Sequence, residues 1–115
     1  MTRRIGPTGY EDFHRRFQLE APGDYNFAYD FLDSKAARDP EAPAMVHVGP
    51  NGERRDYDFA YFREESARLA SSLAEAGISK GDRVMLILYR RVEFWTSMLA
   101  LHRLGAVAVP SPALL

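Results

Sequence analysis

Residues 81–109 read GDRVMLILYRRVEFWTSMLALHRLGAVAV, and two changes of hydrophobic period inside this stretch decide the fold. After the turn Lys80-Gly81-Asp82 comes an unbroken apolar run, Val84-Met85-Leu86-Ile87-Leu88, with the length of a strand buried on both faces. Over 92–104 the apolar side chains recur at Phe94, Trp95, Met98, Leu99, Leu101 and Leu104, the three-and-four spacing of a helix with a wide apolar face. Gly105 stands where a helix C-terminus takes a left-handed residue, and a second apolar run, 106–109, follows and stops at Pro110. A connection of this length lets the two runs pair in parallel, with a right-handed crossover. The unit is therefore βαβ, and Trp95 is expected in its core beside Met98 and Leu99.

Working back from residue 81, a helix is predicted over about 60–76, capped by Asp58, striped by Phe62, Ser66, Leu69, Leu73 and Ala76, and stopped by Gly77. Alanines 67, 70, 74 and 76 let a neighbouring element come close. Before it lies a β-hairpin, 44–48 and 53–58, around Gly49-Pro50-Asn51-Gly52. A further helix is predicted over about 27–38, capped by Asn26, with Tyr25, Tyr29, Leu32 and Ala36 along one side and Phe27 and Phe31 widening it. Asp39-Pro40 ends it. At the start, an irregular arm to Gly9 leads into a short helix over 10–19. The expected class is α/β, a hairpin plus a βαβ unit with flanking helices, divided into an N-terminal arm and short helix, 1–24, and the main unit, 25–115. The chain stops just after its second parallel strand, where a doubly wound sheet takes another crossover helix, so it reads as truncated at its C-terminal end.

Composition excludes several classes. With 115 residues and 46% hydrophobic content there is enough material for one core. Fifteen basic and sixteen acidic residues, scattered along the chain, form no stripe for nucleic acid. No cysteine means no disulfide framework and no thiolate metal site. Neither a secretory signal nor a bilayer-spanning run is evident, and the expected location is cytoplasmic, with no membrane partner.

Catalytic patterns are missing as well. His14, His47 and His102 are dispersed and form no metal-ligand spacing, the glycines form no phosphate-cradling loop, and no Ser sits in a nucleophile turn. No catalytic, cofactor-binding or metal-binding residue is assigned. One stretch remains, Tyr89-Arg90-Arg91, at the carboxyl end of the first parallel strand and just before a helix N-terminus. Open α/β sheets bind ligands there and a helix dipole favours anions, so the alternatives are an anion-facing loop and a pair of solvated arginines.

Several stretches resemble the N-terminal part of the AMP-forming acyl-CoA synthetases of the adenylate-forming ligase superfamily. Tyr25-Asn26-Phe27-Ala28-Tyr29-Asp30-Phe31-Leu32-Asp33 is similar to the F-N-F-A-x-D-x-x-D opening of the medium-chain enzymes. Asp58-Phe59-Ala60-Tyr61 resembles the helix start of the R-x-x-T-F-x-E-L segment, with Asp58 in place of threonine. Gly81-Asp82-Arg83-Val84, Glu93-Phe94-Trp95 and Leu104-Gly105-Ala106-Val107 resemble the G-D-R-V, P-E-W-W and G-A-V series in order and spacing. Where the family often has L-P-R-x-P-E-W, this chain has Leu88-Tyr89-Arg90-Arg91-Val92-Glu93-Phe94, without the prolines.

The resemblance implies a parent ligase that joins a carboxylic acid to coenzyme A at the expense of ATP, with magnesium, releasing AMP and pyrophosphate. A short- or medium-chain or aryl acid is the expected substrate. The family's working motifs lie downstream of residue 115, so the chain itself is expected to be inactive scaffold whose partner is the remainder of the same polypeptide. A peptide-synthetase adenylation domain or acyl-AMP ligase is the alternative within the superfamily. A freestanding α/β module that binds a partner through its unfinished sheet edge is the alternative outside it, and a homo-oligomer through the exposed sheet surface is a further partner expectation.

Overall fold

The computed structural model describes residues 9–114, and the first eight residues of the expected arm lie outside them. Helix α1, Tyr10–Arg16, carries Glu11 and Asp12 in its first turn and buries no residue. It ends three residues short of the predicted limit, because Phe17 is already extended and the helix has no buried residue to prolong it.

The next helix begins as a π-helical segment, Phe27–Asp33, and runs directly into α2, Ser34–Arg38. Asn26 caps it as expected. Its Oδ1 accepts from the amides of Ala28 and Tyr29 at 3.0 and 3.4 Å, while its own amide donates to Asp30 Oδ2 at 2.6 Å. The buried line is Ala28, Leu32 and Ala36, whereas Tyr25, Tyr29, Phe27 and Phe31 are exposed. The expected stripe is thus corrected: the small Ala28 lets the helix sit tightly on its neighbours and turns the rings outward.

The hairpin forms as read. Strands β1, Pro43–Val48, and β2, Arg54–Asp58, pair antiparallel, with Val48 opposite Arg54 and Gly52 at φ 81° in the turn. Helix α3, Phe59–Glu75, starts at Asp58, whose Oδ1 accepts from the Tyr61 amide at 2.8 Å. The first two free amides of α3 donate to the carbonyls of Ala42 and Pro40, so the helix start is locked to the segment leading into β1.

Strand β3, Arg83–Ile87, helix α4, Val92–Leu104, and strand β4, Val107–Ser111, build the βαβ unit. The strands are parallel neighbours from Arg83 opposite Val107 to Ile87 opposite Ser111. Gly105 closes α4 in the left-handed region, at φ 67° and ψ 21°.

Two expectations about burial fail. The apolar run in β3 is covered on one face only: Val84 and Leu86 are half-buried, while Met85 and Ile87 stay exposed, as do Val107 and Val109 on β4. Residues 9–114 supply a helical layer for a single face of this strand pair, although the sequence is apolar on both. Trp95 is 52% exposed and is not a core residue. The core lies instead among α3, α4 and the π-helical segment, around Ala28, Leu32, Phe62, Ser66, Ala100 and Leu101. On α4 the deepest positions are Thr96, Ala100 and Leu101, and the small Thr96 and Ala100, like Ser66 and Ala70 on α3, let the two helices pack closely.

Candidate functional site

Tyr89, Arg90 and Arg91 form the loop that joins β3 to α4. Arg91 occupies the position before the first turn of α4, and no side chain caps the helix there. The loop borders an open groove of about 610 Å³, whose other wall is β1 from Met45 to Val48 and whose floor includes Leu88, Phe94 and Trp95. His47 bridges the two walls: its Nε2 donates to the Arg90 carbonyl at 3.2 Å, which fixes the proton on that nitrogen. Trp95 stands perpendicular to Phe94 with ring centres 5.3 Å apart. Among the described residues neither Arg90 nor Arg91 makes an ion pair, and no carboxylate lines the groove.

A second polar constellation, which the sequence reading did not find, sits at the other end of α4. The Arg103 side chain is 5% exposed and forms a two-point pair with Asp33, Nη1 to Oδ2 at 2.8 Å and Nη2 to Oδ1 at 2.6 Å. Its Nε donates to Ser66 Oγ at 2.9 Å, and the Ser66 hydroxyl in turn donates to the Arg63 carbonyl at 3.3 Å. The guanidinium also faces the Tyr29 ring at 5.2 Å, and the Tyr29 hydroxyl donates back to the Arg103 carbonyl at 3.3 Å. The hydrogen bond to Asp33 holds the Arg103 pKa above its ordinary value against the opposing effect of burial, so this side chain is always charged. One residue earlier, Asn26 Nδ2 donates to the His102 carbonyl at 2.7 Å. The last turn of α4 is therefore clamped to the segment 26–33 by three separate contacts.

That clamp is a structural centre. Each polar member is satisfied by another protein group, and it presents no nucleophile or general base. His14 is exposed, and His102 lies on the face of α4 with its Nδ1 buried and unpaired. Among the described residues no three His, Asp or Glu side chains come close enough to hold a metal ion, and no helix is long and apolar enough to cross a membrane.

Comparison with known proteins accounts for this architecture. Residues 32–115 match the family model described as AMP-binding enzyme. The human mitochondrial acyl-coenzyme A synthetase ACSM3 is 37% identical over 109 residues, a region covering 90% of this chain and 19% of that protein. Acetoacetyl-CoA synthetase from Streptomyces lividans superposes with a TM-score of 0.72 at 28% identity, over 76% of this chain and 14% of that one. A fatty acyl CoA synthetase from Mycobacterium tuberculosis superposes at 0.68 with 33% identity, over 78% and 17% of the two chains. The 115 residues, spanning about a fifth of the length of the synthetases they match, belong to the AMP-binding enzyme family.

Proposed function

We propose that residues 25–115 are the opening part of the AMP-binding domain of an AMP-forming acid–thiol ligase, with residues 1–24 as an arm ahead of it. The parent reaction converts a carboxylate, ATP and coenzyme A to an acyl-coenzyme A, AMP and pyrophosphate, with magnesium on the nucleotide. The observation that carries the reading is the 37% identity to an acyl-coenzyme A synthetase sustained over 90% of the chain. The acid is read as short- or medium-chain or aryl.

In this reading the chain is scaffold. The clamp around Arg103 and the core of α3 and α4 hold β3 and β4 in register, and the bare face bearing Met85, Ile87, Val107 and Val109 is where the remainder of the polypeptide packs. Residues 1–115 alone neither adenylate an acid nor hold Mg-ATP tightly, since such binding takes several convergent phosphate, ribose and metal contacts. Tyr89, Arg90 and Arg91 form an anion-facing loop on one groove.

The test compares residues 1–115 with a polypeptide extended to the full length of the matched synthetases. Pyrophosphate release with acetate, butyrate or benzoate, dependent on coenzyme A for onward turnover, is expected from the long form only. Turnover by the short form would overturn the scaffold reading. Adenylate that accumulates without transfer to coenzyme A would favour an acyl-AMP ligase or a peptide-synthetase adenylation domain. Cell fractionation decides whether the protein is cytoplasmic, as proposed, or mitochondrial like the relative named above.

A further inference from the structure

The helix that carries the buried line Ala28, Leu32 and Ala36 changes register within itself. At its start the Asp30 amide donates to the Asn26 carbonyl, four residues back, at 2.7 Å. At the end of the π-helical segment the Ser34 amide bonds to the Phe31 carbonyl, three residues back. Between them Phe27–Asp33 is wound in the wide register, in which an amide reaches the carbonyl five residues back. Residues 27–33 contain neither proline nor glycine, the usual sequence causes of a break in an α-helical ladder. A register that the local sequence does not impose is held by its surroundings.

The polar contacts that cross to α4 supply that hold, and all of them start from the wide segment or its cap. Asn26 Nδ2 donates to the His102 carbonyl at 2.7 Å, the Tyr29 hydroxyl to the Arg103 carbonyl at 3.3 Å, and Asp33 takes the Arg103 guanidinium at 2.8 and 2.6 Å. Among the described residues no side chain of Ser34–Arg38 bonds to α4; Arg38 turns back to the Ser34 carbonyl. The outer anchors, Asn26 and Asp33, would stand roughly 10 Å apart along an α-helix. They close instead on consecutive residues, His102 and Arg103. A wide turn holds more residues per turn and so brings its two ends closer together.

We propose that the contacts from the last turn of α4 select the π register of Phe27–Asp33 and make this segment a two-register element. Released, it winds as an ordinary α-helix, one residue leaves the turn, and the chain ahead of Asn26 rotates relative to Ser34–Arg38 by about 100°. The register is thereby set from α4, whose end leads through Gly105 into β4, and a movement at that junction is transmitted to the arm ahead of Asn26.

Nuclear magnetic resonance couplings across hydrogen bonds, from amide nitrogen to carbonyl carbon, identify each acceptor directly in the isotope-labelled 115-residue chain. In the unsubstituted chain the Leu32 amide is expected to couple to the Phe27 carbonyl. In Arg103→Met/Asp33→Leu, where no charge is left stranded, the coupling is expected to move to Ala28, the α-helical acceptor. Contacts between β3 and β4 are the control that the variant is folded. A folded variant that keeps the Phe27 coupling would overturn the proposal, because the packing of Ala28 and Leu32 would then suffice to hold the wide turn. So would an unsubstituted chain in which Leu32 already bonds to Ala28. If the double variant loses its β3–β4 contacts, the decision passes to Asn26→Ser/Tyr29→Phe, which keeps the Arg103–Asp33 pair and an oxygen to cap the helix. There the Ala28 coupling is expected beside the Phe27 coupling, and its absence would overturn the proposal.

Discussion

Arg103 and Asp33, seventy residues apart in sequence, meet end-on at 2.8 and 2.6 Å, and with them the last turn of α4 is bound to the end of the π-helical segment. Arg103 is almost wholly buried, while Asp33 keeps about a quarter of its side chain in water. Removing one member strands the other. Arg103→Met is expected to cost about 3 kcal/mol, toward the low end for a broken buried pair because Asp33 is partly hydrated. Arg103→Lys should recover little, since an ammonium cannot serve Asp33 and Ser66 together. A double variant, Arg103→Met with Asp33→Leu, should regain much of the loss. Urea denaturation followed by circular dichroism measures all three, and a double variant no better than the sum of its parts would refute the coupling.

Leu101 and Trp95 exchange the importance that their sizes suggest. Leu101 is fully buried and Trp95 is half in solvent. Leu101→Ala is expected to cost about 2–5 kcal/mol, and Trp95→Ala about 1–2 kcal/mol because only part of the ring leaves an apolar environment. As the single tryptophan, Trp95 should also be readily quenched by acrylamide. A larger loss at Trp95 than at Leu101 would contradict the packing described.

What could be read from the sequence and what could not divides along physical lines. The hairpin, the Asp58 and Asn26 caps, the Gly105 stop and the parallel pairing are local or periodic events, and each stands as the residues predict. The anion-facing alternative concerned a loop, Tyr89-Arg90-Arg91, that borders an open groove, and the other wall of that groove comes from His47 and its neighbours on a distant hairpin. The clamp was out of reach because Asp33, Ser66 and Arg103 meet only through tertiary packing. One signal was available: Thr96, Ala100 and Arg103 share a helix face by their three-and-four spacing, and small residues on that face mark the tight contact. Of the apolar face read from the spacing, Leu101 is fully buried and Phe94, Met98, Leu99 and Leu104 are half-buried, so the expectation fails at Trp95, which lies at the edge of that face.

Gly105 sits at φ 67°, and a Cβ there would come within 3.1 Å of Lys80 Cγ. The flexible lysine stem can yield, so the backbone conformation dominates the cost. Gly105→Ala should lose about 1–2 kcal/mol. Hydrogen exchange should show the loss as faster opening at Gly81 and Val107, whose amides bond to the Gly105 and Asp82 carbonyls across the same junction. An unchanged denaturation midpoint would argue against the left-handed closure.

Tyr61 is expected to set an alkaline limit on the stability of the chain. Its phenol lies against Tyr57 and Phe62, with ring centres 4.7 and 5.4 Å away. Burial, followed by the negative charges of ionised Tyr57, Glu65 and Glu93, raises its pKa above the ordinary 10.0. The folded state therefore holds the phenolic proton more tightly than the unfolded state. The stabilisation is fully present below pH 10.0 and is lost as pH climbs from there through the folded value. Tyr61→Phe keeps the ring and cannot ionise, so its stability should fall less over this window than that of the parent chain. Urea midpoints of the two proteins at about pH 8 and about pH 11 supply the comparison, which reads Tyr61 together with its charge interaction with Tyr57. Parallel losses in the two proteins would show that Tyr61 does not set the limit.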